Sequence, residues 1–488
     1  MNTIIGRRSE QDDLEEWCRS RKAELICVYG RRRVGKTYLV ESMFRNRIAS
    51  SATGSEDKRV KPQLRVFAGA LQRHGERAKS VPTDWFEAFD RLRELLEQPD
   101  VTRTENGRRI VFLDEFPWFA TKRSDFLTAF ADFWNAWASK QRDMGVIICG
   151  SAISWIIKNL FENTGSMFDR ITRRLYIAPF TLRESDLMTA SLDLGWSRET
   201  VLDAYLVFGG LPYYLDMLDR RKSLAQNIDD LCFGAHAPLR NEVPHLMEAT
   251  LSDSPLHREV LRMLSRSKSG VHRAKIAEAL GDGGPLSRVL DDLEKCSYIR
   301  KYKNPYEKNK PSIYQLVDPF LLFSFKFMEG QVESWASFAG SPAYYAWRGN
   351  AFELACLAHI PQLKAALGIP DGSCKYTSTV WGLEQNPVIA VRPVNHPGVR
   401  VSKSIWRGTN AILSWSWTGC EGNKAEVDFL IADRLSVVPI EVKSGKDYTV
   451  HSALNRFLNT PEYGIKQAAV LSNEREVKVM DGITYQPI

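Results

Sequence analysis

The feature that most constrains the fold is a glycine-framed segment near the amino end of the chain. An apolar run rich in branched residues breaks at Gly30, and the pattern G-x-x-x-x-G-K-T then occupies residues 30–37. A helix-forming run from Tyr38 to Arg45 follows. Glycines at both ends let the backbone turn its N–H groups inward around an anion, and a helix amino terminus adds partial positive charge. A strand, a loop and a helix in this order predict a phosphate-binding loop in an α/β fold.

This loop predicts ATP as the ligand, with Mg²⁺ as its counter-ion. Lys36 is expected to reach the terminal phosphates, and Thr37 to ligate Mg²⁺. The candidate nucleotide-binding residues are those of the whole loop: Gly30, Arg31, Arg32, Arg33, Val34, Gly35, Lys36 and Thr37. The three consecutive arginines place unusual positive charge in the loop, and the sequence leaves open whether they contact phosphate or solvent.

A second apolar stretch ends in two carboxylates. It runs from Arg109 to Leu113 and is followed by Asp114 and Glu115. Ligands of open α/β folds bind at the carboxyl ends of the strands. We therefore expect Asp114 to bind nucleotide-associated Mg²⁺ together with Thr37, and Glu115 to act as the catalytic residue that polarises the attacking water. A surface strand that merely ends in acids is the alternative interpretation.

Two further candidates follow along the chain. Ser151 comes after the apolar strand Val146–Cys149 and Gly150. It could lie between the two nucleotide strands and sense the γ-phosphate, or it could simply belong to a turn made of small residues. Arg170 lies in a basic run and is the candidate arginine finger, acting in cis or from a neighbouring subunit of a homo-oligomer. A solvated basic loop is the competing interpretation for Arg170.

Length and composition limit the class of protein. A chain of 488 residues is too long for one ordinary core. No apolar run reaches the roughly 20 residues needed to span a bilayer, and the first residues lack the apolar core of a signal peptide. The cysteines are scattered without C-x-x-C pairs, which favours reduced thiols in a cytoplasmic protein. The net charge of +7 permits DNA as a partner without establishing it.

The order of these motifs resembles a known family. A Gly-Arg element, Ile4-Ile5-Gly6-Arg7-Arg8-Ser9-Glu10, precedes the phosphate loop, and Gly209-Gly210-Leu211-Pro212 follows the basic run. This order resembles the archaeal/bacterial branch of the STAND-type AAA+ ATPases. The resemblance implies an AAA+-like parallel sheet with a helical lid across residues 1–245.

Residues 250–330 predict a winged helix-turn-helix domain. Helical patterns cover residues 257–264, 271–280 and 286–296, and two strands follow at 298–302 and 312–316. The third helix would enter the major groove of DNA. Its acids Asp291, Asp292 and Glu294 would repel phosphates, however, whereas the wing is basic. A structural joint is therefore the favoured interpretation over sequence-specific DNA binding.

Residues 340–488 contain a predicted strand pair rich in charge. Its strands are Ala425–Ile431 and Ser436–Lys443, joined by a turn at residues 432–435. This turn predicts Asp428 opposite Pro439 and Glu426 opposite Glu441. Alternation then places Glu426, Asp428, Glu441 and Lys443 on one face. Three carboxylates on one face repel one another unless a cation such as Mg²⁺ lies among them.

This strand pair resembles the PD-(D/E)xK nuclease core, and the matching positions are Asp428, Glu441 and Lys443. Glu353, on an upstream helix, matches the additional acid that such nucleases often carry. The resemblance implies an α/β restriction-endonuclease-like domain with Glu353, Asp428 and Glu441 as metal ligands and Lys443 as a catalytic residue. A solvent-facing hairpin of mixed charge is the alternative.

Two functions are consistent with these patterns. The favoured one is a Mg²⁺-dependent ATPase switch that controls a nuclease-like domain acting on DNA. The alternative is a nucleotide-gated scaffold or regulator that binds DNA or a partner protein and cuts nothing.

Overall fold

A computed structural model describes most of the chain, with gaps. The described residues are 4–57, 59–78, 80–121, 124–162, 164–165, 167, 169–250, 255–268, 270–302, 312–329, 334–367, 415–418, 424–427, 429–432, 437–443, 451–459, 467–472 and 476–487.

The strands are numbered in chain order. They are β1 (Glu24–Gly30), β2 (Ile48–Thr53), β3 (Arg109–Asp114), β4 (Met144–Gly150), β5 (Arg173–Ile177), β6 (Val271–His272), β7 (Ile299–Tyr302), β8 (Ile313–Leu316), β9 (Trp415–Thr418), β10 (Lys424–Val427), β11 (Phe429–Ala432), β12 (Val437–Lys443), β13 (Ala468–Ser472), β14 (Lys478–Met480) and β15 (Ile483–Pro487).

The helices are numbered in the same way. They are α1 (Arg8–Cys18), α2 (Lys36–Phe44), α3 (Val60–Arg73), α4 (Trp85–Leu96), α5 (Phe116–Phe119), α6 (Phe126–Asp132), α7 (Ile153–Ile156), α8 (Leu182–Ser191), α9 (Arg198–Phe208), α10 (Pro212–Leu215), α11 (Leu224–Ile228), α12 (Glu242–Thr250), α13 (Pro255–Ser265), α14 (Arg273–Leu280), α15 (Gly284–Lys295), α16 (Pro319–Phe323), α17 (Trp335–Phe338), α18 (Pro342–Ala358), α19 (Ile360–Ala366) and α20 (Ser452–Asn459).

The chain divides into two compact units. The first comprises Met1–Gly195, Gly210–Arg220 and Asn241–Ser254. The second comprises Trp196–Gly209, Arg221–Arg240 and Pro255–Ile488. The division passes between Gly209 and Gly210, both of which have positive φ angles, and α9 ends directly before this glycine pair. The predicted domain limits of 1–245, 250–330 and 340–488 stay a prediction.

The first unit is built on a five-stranded parallel sheet in the order β2-β3-β4-β1-β5. Every residue of β1, β3 and β4 is buried, which explains why these strands are uninterrupted apolar runs in the sequence. The predicted α/β class and parallel sheet are confirmed. Because β4 lies between β1 and β3, the residues that follow these three strands meet at one edge of the sheet.

In the second unit, three helices are followed by a short antiparallel sheet. The predicted helices are present as α13, α14 and α15, and the predicted strand pair as β7 and β8. Val271 and His272 form β6, which pairs with β8, so the second helix begins at Arg273 and not at Val271 as predicted. The apolar side of α15 is buried, as its helical spacing indicates.

The carboxyl-terminal part contains a second five-stranded sheet, in the order β11-β12-β13-β15-β14. The predicted strand pair is present, but its register was predicted incorrectly. Phe429 pairs with Ile440, and Ala432 pairs with Val437. β11 therefore continues to Ala432, one residue further than expected, and the pairing is shifted by two residues from the predicted register. The stretch predicted as a single strand is divided into β10, which pairs with β9, and β11.

No helix in the described part of the chain is both long enough and apolar enough to cross a membrane.

Candidate nucleotide site

The phosphate loop joins β1 to α2 at the carboxyl edge of the first sheet. A Cβ atom at Gly30 would lie 2.3 Å from the carbonyl oxygen of Ile177 on β5, so only glycine fits there. Gly35 has a φ of 86°, and Arg33 a φ of 72°. These left-handed residues bend the loop just before α2 begins at Lys36. The local geometry is that of an anion-binding loop at a helix amino terminus.

Lys36 keeps its amine at this loop. The Lys36 side chain is buried, and its Nζ donates a hydrogen bond to the carbonyl oxygen of Arg31 at 2.9 Å. A lysine ammonium carries three donors, so this contact fixes the direction of the amine while using one of them. Lys36 is therefore positioned by the loop that it would serve.

Thr37 and Asp114 meet between α2 and the end of β3. Thr37 Oγ1 donates to Asp114 Oδ2 at 3.0 Å. Asp114 is 5% exposed, and its Oδ1 is buried without a hydrogen-bond partner among the residues that the structure describes. Burial raises the pKa of the nearby Glu41 carboxyl, and the charge of Asp114 raises it further. This cluster of hard oxygen atoms with an unsatisfied buried carboxylate oxygen fits a divalent cation.

Glu115 and Ser151 form the second polar pair at this edge. The hydroxyl of Ser151 donates to Glu115 Oε1 and Oε2, both at 2.8 Å, and the Ser151 N–H donates to Oε2 at 3.3 Å. A Cβ atom at Gly150 would lie 2.7 Å from the ring of Pro117 in α5, so glycine lets α5 approach the end of β4. The hydrogen bonds from Ser151, at the end of β4, therefore fix the position of the half-buried Glu115 carboxylate, which directly follows β3.

Arg7 links the loop to the segment after β5. Its guanidinium donates to the carbonyl oxygens of Val34 and Ala178, and lies 4.7 Å from the centre of the Phe180 ring. Its backbone N–H donates to Glu184 Oε1 at 2.8 Å. We gave Arg7 no role from the sequence, although the Gly-Arg element that contains it was the available signal. Arg7 therefore connects the phosphate loop at Val34 to the segment that follows β5.

Arg33 makes its contacts outside the loop. Arg33 Nε donates to Glu242 Oε1 at 2.9 Å, and Nη2 donates to Oε2 at 3.4 Å. The guanidinium also lies 3.8 Å from the centre of the Tyr213 ring. Partial burial lowers the pKa of Arg33, but the hydrogen bond and charge of Glu242 outweigh burial and raise it overall.

Residues 5–218 match a family described as an ATPase domain found predominantly in Archaea. This part of the chain is therefore similar to that ATPase family.

The chain also resembles individual proteins. Over 329 residues it is 24% identical to an uncharacterized protein of Methanocaldococcus jannaschii, an alignment that covers 67% of this chain and 69% of that protein. A segment of 44 residues is 44% identical to an uncharacterized ATP-binding protein of the same organism, covering 9% of this chain and 75% of that protein. Among solved structures, a Walker-type ATPase of Pyrococcus abyssi is 18% identical with a TM-score of 0.48, covering 66% of this chain and 96% of that one.

The first unit brings most of the predicted nucleotide residues together. The loop residues, Asp114, Glu115 and Ser151 all lie at or directly after the carboxyl ends of β1, β3 and β4. Arg170 does not join them, because it precedes β5, and β5 is parallel to β1. The backbone N–H of Thr172 donates to the carbonyl oxygen of Leu25, near the start of β1. Arg170 is therefore exposed at the opposite edge of the sheet, about 16 Å away along a five-residue strand.

The carboxyl-terminal candidates are only partly described. Glu441 and Lys443 lie in β12, Glu353 lies in α18, and Asp428 falls outside the described residues. Within the described parts of the chain, no cluster of three or more His, Cys, Asp or Glu residues is arranged to bind a metal ion.

Sequence reasoning missed a partner of Glu441. His451 Nδ1 lies 2.9 Å from Glu441 Oε2, and Lys443 Nζ lies 3.8 Å from the same oxygen. Both Glu441 and His451 are buried. A lone histidine ahead of α20 gave no motif by which to find this contact.

Proposed function

We propose that this chain is a Mg²⁺-dependent ATPase switch whose nucleotide state controls its carboxyl-terminal region. The observation that carries the proposal is the convergence of Lys36, Thr37, Asp114, Glu115 and Ser151 at one edge of the parallel sheet. Each of these side chains has the chemistry that phosphoryl transfer to water requires. The family match to an ATPase domain supports the same reaction.

In this proposal the loop binds the triphosphate before any chemistry occurs. Backbone N–H groups at the start of α2 and the Lys36 ammonium neutralise the phosphate oxygens. Thr37 and Asp114 would hold Mg²⁺, which supplies positive charge to the β- and γ-phosphates when bound. The buried, unpaired Oδ1 of Asp114 supports this assignment, because a cation would satisfy it.

Glu115 then acts on the attacking water. Its carboxylate orients the water and accepts its proton, and Ser151 keeps the carboxylate directed along one line. Ser151 lies at the end of the strand between β1 and β3, where it can contact both Glu115 and the γ-phosphate. A positioning role and a phosphate-sensing role for Ser151 are therefore compatible.

Phosphate release tests this assignment. We expect wild-type chain to hydrolyse ATP with Mg²⁺ present, Lys36→Ala to lose nucleotide binding, and Glu115→Gln to bind ATP but hydrolyse it slowly. Asp125→Asn, a charge removal at the start of α6, is a matched control for the loss of an acid. Equal turnover in wild type and Lys36→Ala would remove the ATPase assignment.

For the second unit we propose a winged-helix domain followed by a PD-(D/E)xK nuclease-like domain that interacts with DNA. The three helices and hairpin of residues 255–316 support the winged helix. Glu441 and Lys443 on β12, with α18 running alongside that strand, support the nuclease-like assignment.

A non-cutting regulator is the second candidate. The contact between Glu441 and His451 favours it, because this histidine already satisfies an oxygen that a metal ion would need. The acidic surface of α15 also favours binding to a partner other than DNA phosphates.

Calorimetric titration with Mn²⁺ separates these two candidates. A nuclease-like domain would bind the ion through Asp428 and Glu441, and the double change Asp428→Ala plus Glu441→Ala would abolish that binding and any cleavage of plasmid DNA. The titration is performed in the Thr37→Ala plus Asp114→Ala background, so that the ATPase site does not contribute. Absence of ion binding in that background would favour the regulator.

A further inference from the structure

The contact between Arg33 and Glu242 joins the phosphate loop to a helix that lies outside the family match. Glu242 is the first residue of α12, whereas the matched ATPase domain ends at residue 218. Glu242 accepts both hydrogen bonds from the Arg33 guanidinium and a third from the Tyr214 hydroxyl at 3.2 Å. Tyr213 covers the guanidinium from another side. Tyr213 and Tyr214, from a third segment of the chain, thus flank the Arg33–Glu242 charge pair.

Burying the Glu242 carboxylate is energetically unfavourable unless its charge is compensated by Arg33. Glu242 is 3% exposed, so its carboxylate has lost almost all of its hydration. Only the Arg33 charge and the Tyr214 hydroxyl compensate for that loss among the contacts that the structure describes. Removing one partner of a buried ion pair leaves the other charge uncompensated, which is more unfavourable than replacing both. Glu242 and Arg33 therefore depend on each other.

The backbone of Arg33 also needs external support. Its φ of 72° lies in the left-handed region, which an arginine rarely adopts because its Cβ crowds the neighbouring carbonyl. Strained residues of this kind persist only where surrounding contacts hold them. The bidentate contact with Glu242 and the stacking on Tyr213 supply such contacts. The N–H groups of Val34 and Gly35 follow Arg33 directly, so the conformation at Arg33 determines their direction.

We propose that Glu242 is a positioning residue of the ATP site, acting through Arg33 to hold the phosphate loop in its binding conformation. This inference rests on the proposed function, because it assumes that the loop binds ATP. By linkage, ATP bound at the loop stabilises the Glu242 contact and with it the start of α12. The ATP site then extends beyond the matched ATPase domain.

The test compares ATP binding in full-length variants by calorimetry with a non-hydrolysable ATP analogue and Mg²⁺. Glu242→Gln keeps the side-chain shape but removes the charge, and we expect the Kd to rise about tenfold. In hydrolysis, KM should rise with kcat little changed, because Glu242 touches no reacting group. Glu15→Gln, which removes an acid from an exposed ion pair on α1, is the matched control.

A double-mutant cycle shows whether Glu242 acts through Arg33. In an Arg33→Met background, Glu242→Gln should change the Kd by less than about twofold, because the coupling is already lost. Hydrogen exchange gives a second readout. The ATP analogue should slow amide exchange in residues 242–250 of the wild type, and this effect should be absent in Glu242→Gln.

The outcomes separate the inference from the proposed function. If wild type fails to bind the analogue, both are overturned. If wild type binds it and Glu242→Gln binds equally well while only its melting temperature falls, Glu242 is purely structural and the inference alone is overturned. Should Glu242→Gln not fold, the double change Arg33→Met plus Glu242→Gln replaces it, because changing both partners leaves no uncompensated buried charge. An unchanged Kd in that double variant would then overturn the inference.

Discussion

Replacing Ser151 with alanine should slow ATP hydrolysis by releasing Glu115. In the structure the serine hydroxyl lies 2.8 Å from both carboxylate oxygens of Glu115, and the backbone N–H lies 3.3 Å from one of them. The change Ser151→Ala removes the hydroxyl and keeps the longer N–H contact. The carboxylate would then rotate among several positions, of which only some orient the attacking water.

The size of the effect follows from these contacts. A hydrogen bond to a charged group contributes about 1.5–3 kcal/mol. Glu115 is only half-buried and keeps the backbone N–H, so solvent replaces part of the loss and the lower end of that range applies. A barrier raised by about 1.4 kcal/mol lowers kcat about tenfold.

Steady-state phosphate release over a range of ATP concentrations measures this change. We expect Ser151→Ala to lower kcat with KM little changed if Ser151 only positions Glu115, and to raise KM as well if Ser151 also contacts the γ-phosphate. Ser151→Thr retains the hydroxyl and is the matched control, with kcat near that of wild type. A kcat for Ser151→Ala equal to that of wild type would refute the positioning argument.

Three further predictions concern packing, a buried ion pair and the carboxyl-terminal site. Gly30→Ala places a Cβ 2.3 Å from a backbone carbonyl of β5, so we expect the free energy of unfolding to fall by about 3 kcal/mol and ATP binding to be lost. A thermal melt and calorimetry with ATP measure the two effects, and unchanged binding would contradict the geometry. Arg348→Met leaves Asp203, 2.6 Å away in the wild type, without its cation. We expect this change to cost about 3 kcal/mol of stability at pH 7. Burial already raises the pKa of Asp203, so the folded state binds more protons than the unfolded state, and the loss of stability should shrink as the pH falls towards 4. Thermal melts at both pH values check this trend. His451→Ala frees an oxygen of Glu441, and calorimetry with Mn²⁺ should show unchanged or tighter binding if Glu441 is a ligand, whereas weaker binding would make the histidine itself part of the site.

Local patterns in the sequence were sufficient for the central strands and the loop. β1, β3 and β4 are buried on both faces, so their apolar runs identify them directly. β2 was not predicted, because its sequence Ile-Ala-Ser-Ser-Ala-Thr lacks an apolar run and it forms the edge of the sheet. Its Ser51 is held by His74, whose Nε2 accepts a hydrogen bond from the Ser51 N–H at 3.1 Å. Such a pairing depends on tertiary contact and leaves no periodic signal.

Contacts between distant segments account for the remaining differences. The partner of Arg33 is separated from it by 209 residues, and no spacing rule connects an arginine in a phosphate loop to Glu242. The error in the register of β11 and β12 has a local cause, since β11 continues to Ala432 and β12 begins at Val437, each one residue later along the chain than predicted. Arg170 could have been placed correctly from topology alone, because a residue that precedes a parallel strand lies at the edge opposite the phosphate loop.

Arg33 does not act as a free positive charge in the loop, and this changes how the site attracts a triphosphate. The Arg33 charge is paired with Glu242, so it contributes little field at the phosphate position. The Lys36 ammonium and the amino terminus of α2 supply positive potential there. In our proposal, Arg33 instead holds the loop backbone in place through its ion pair with the buried Glu242 on α12. The sequence left open whether the three loop arginines contact phosphate or solvent, and for Arg33 the structure shows a third outcome, an ion pair with Glu242. The binding of phosphate charge by Lys36 and α2 should therefore respond strongly to salt, whereas the largely buried ion pair of Arg33 should respond weakly.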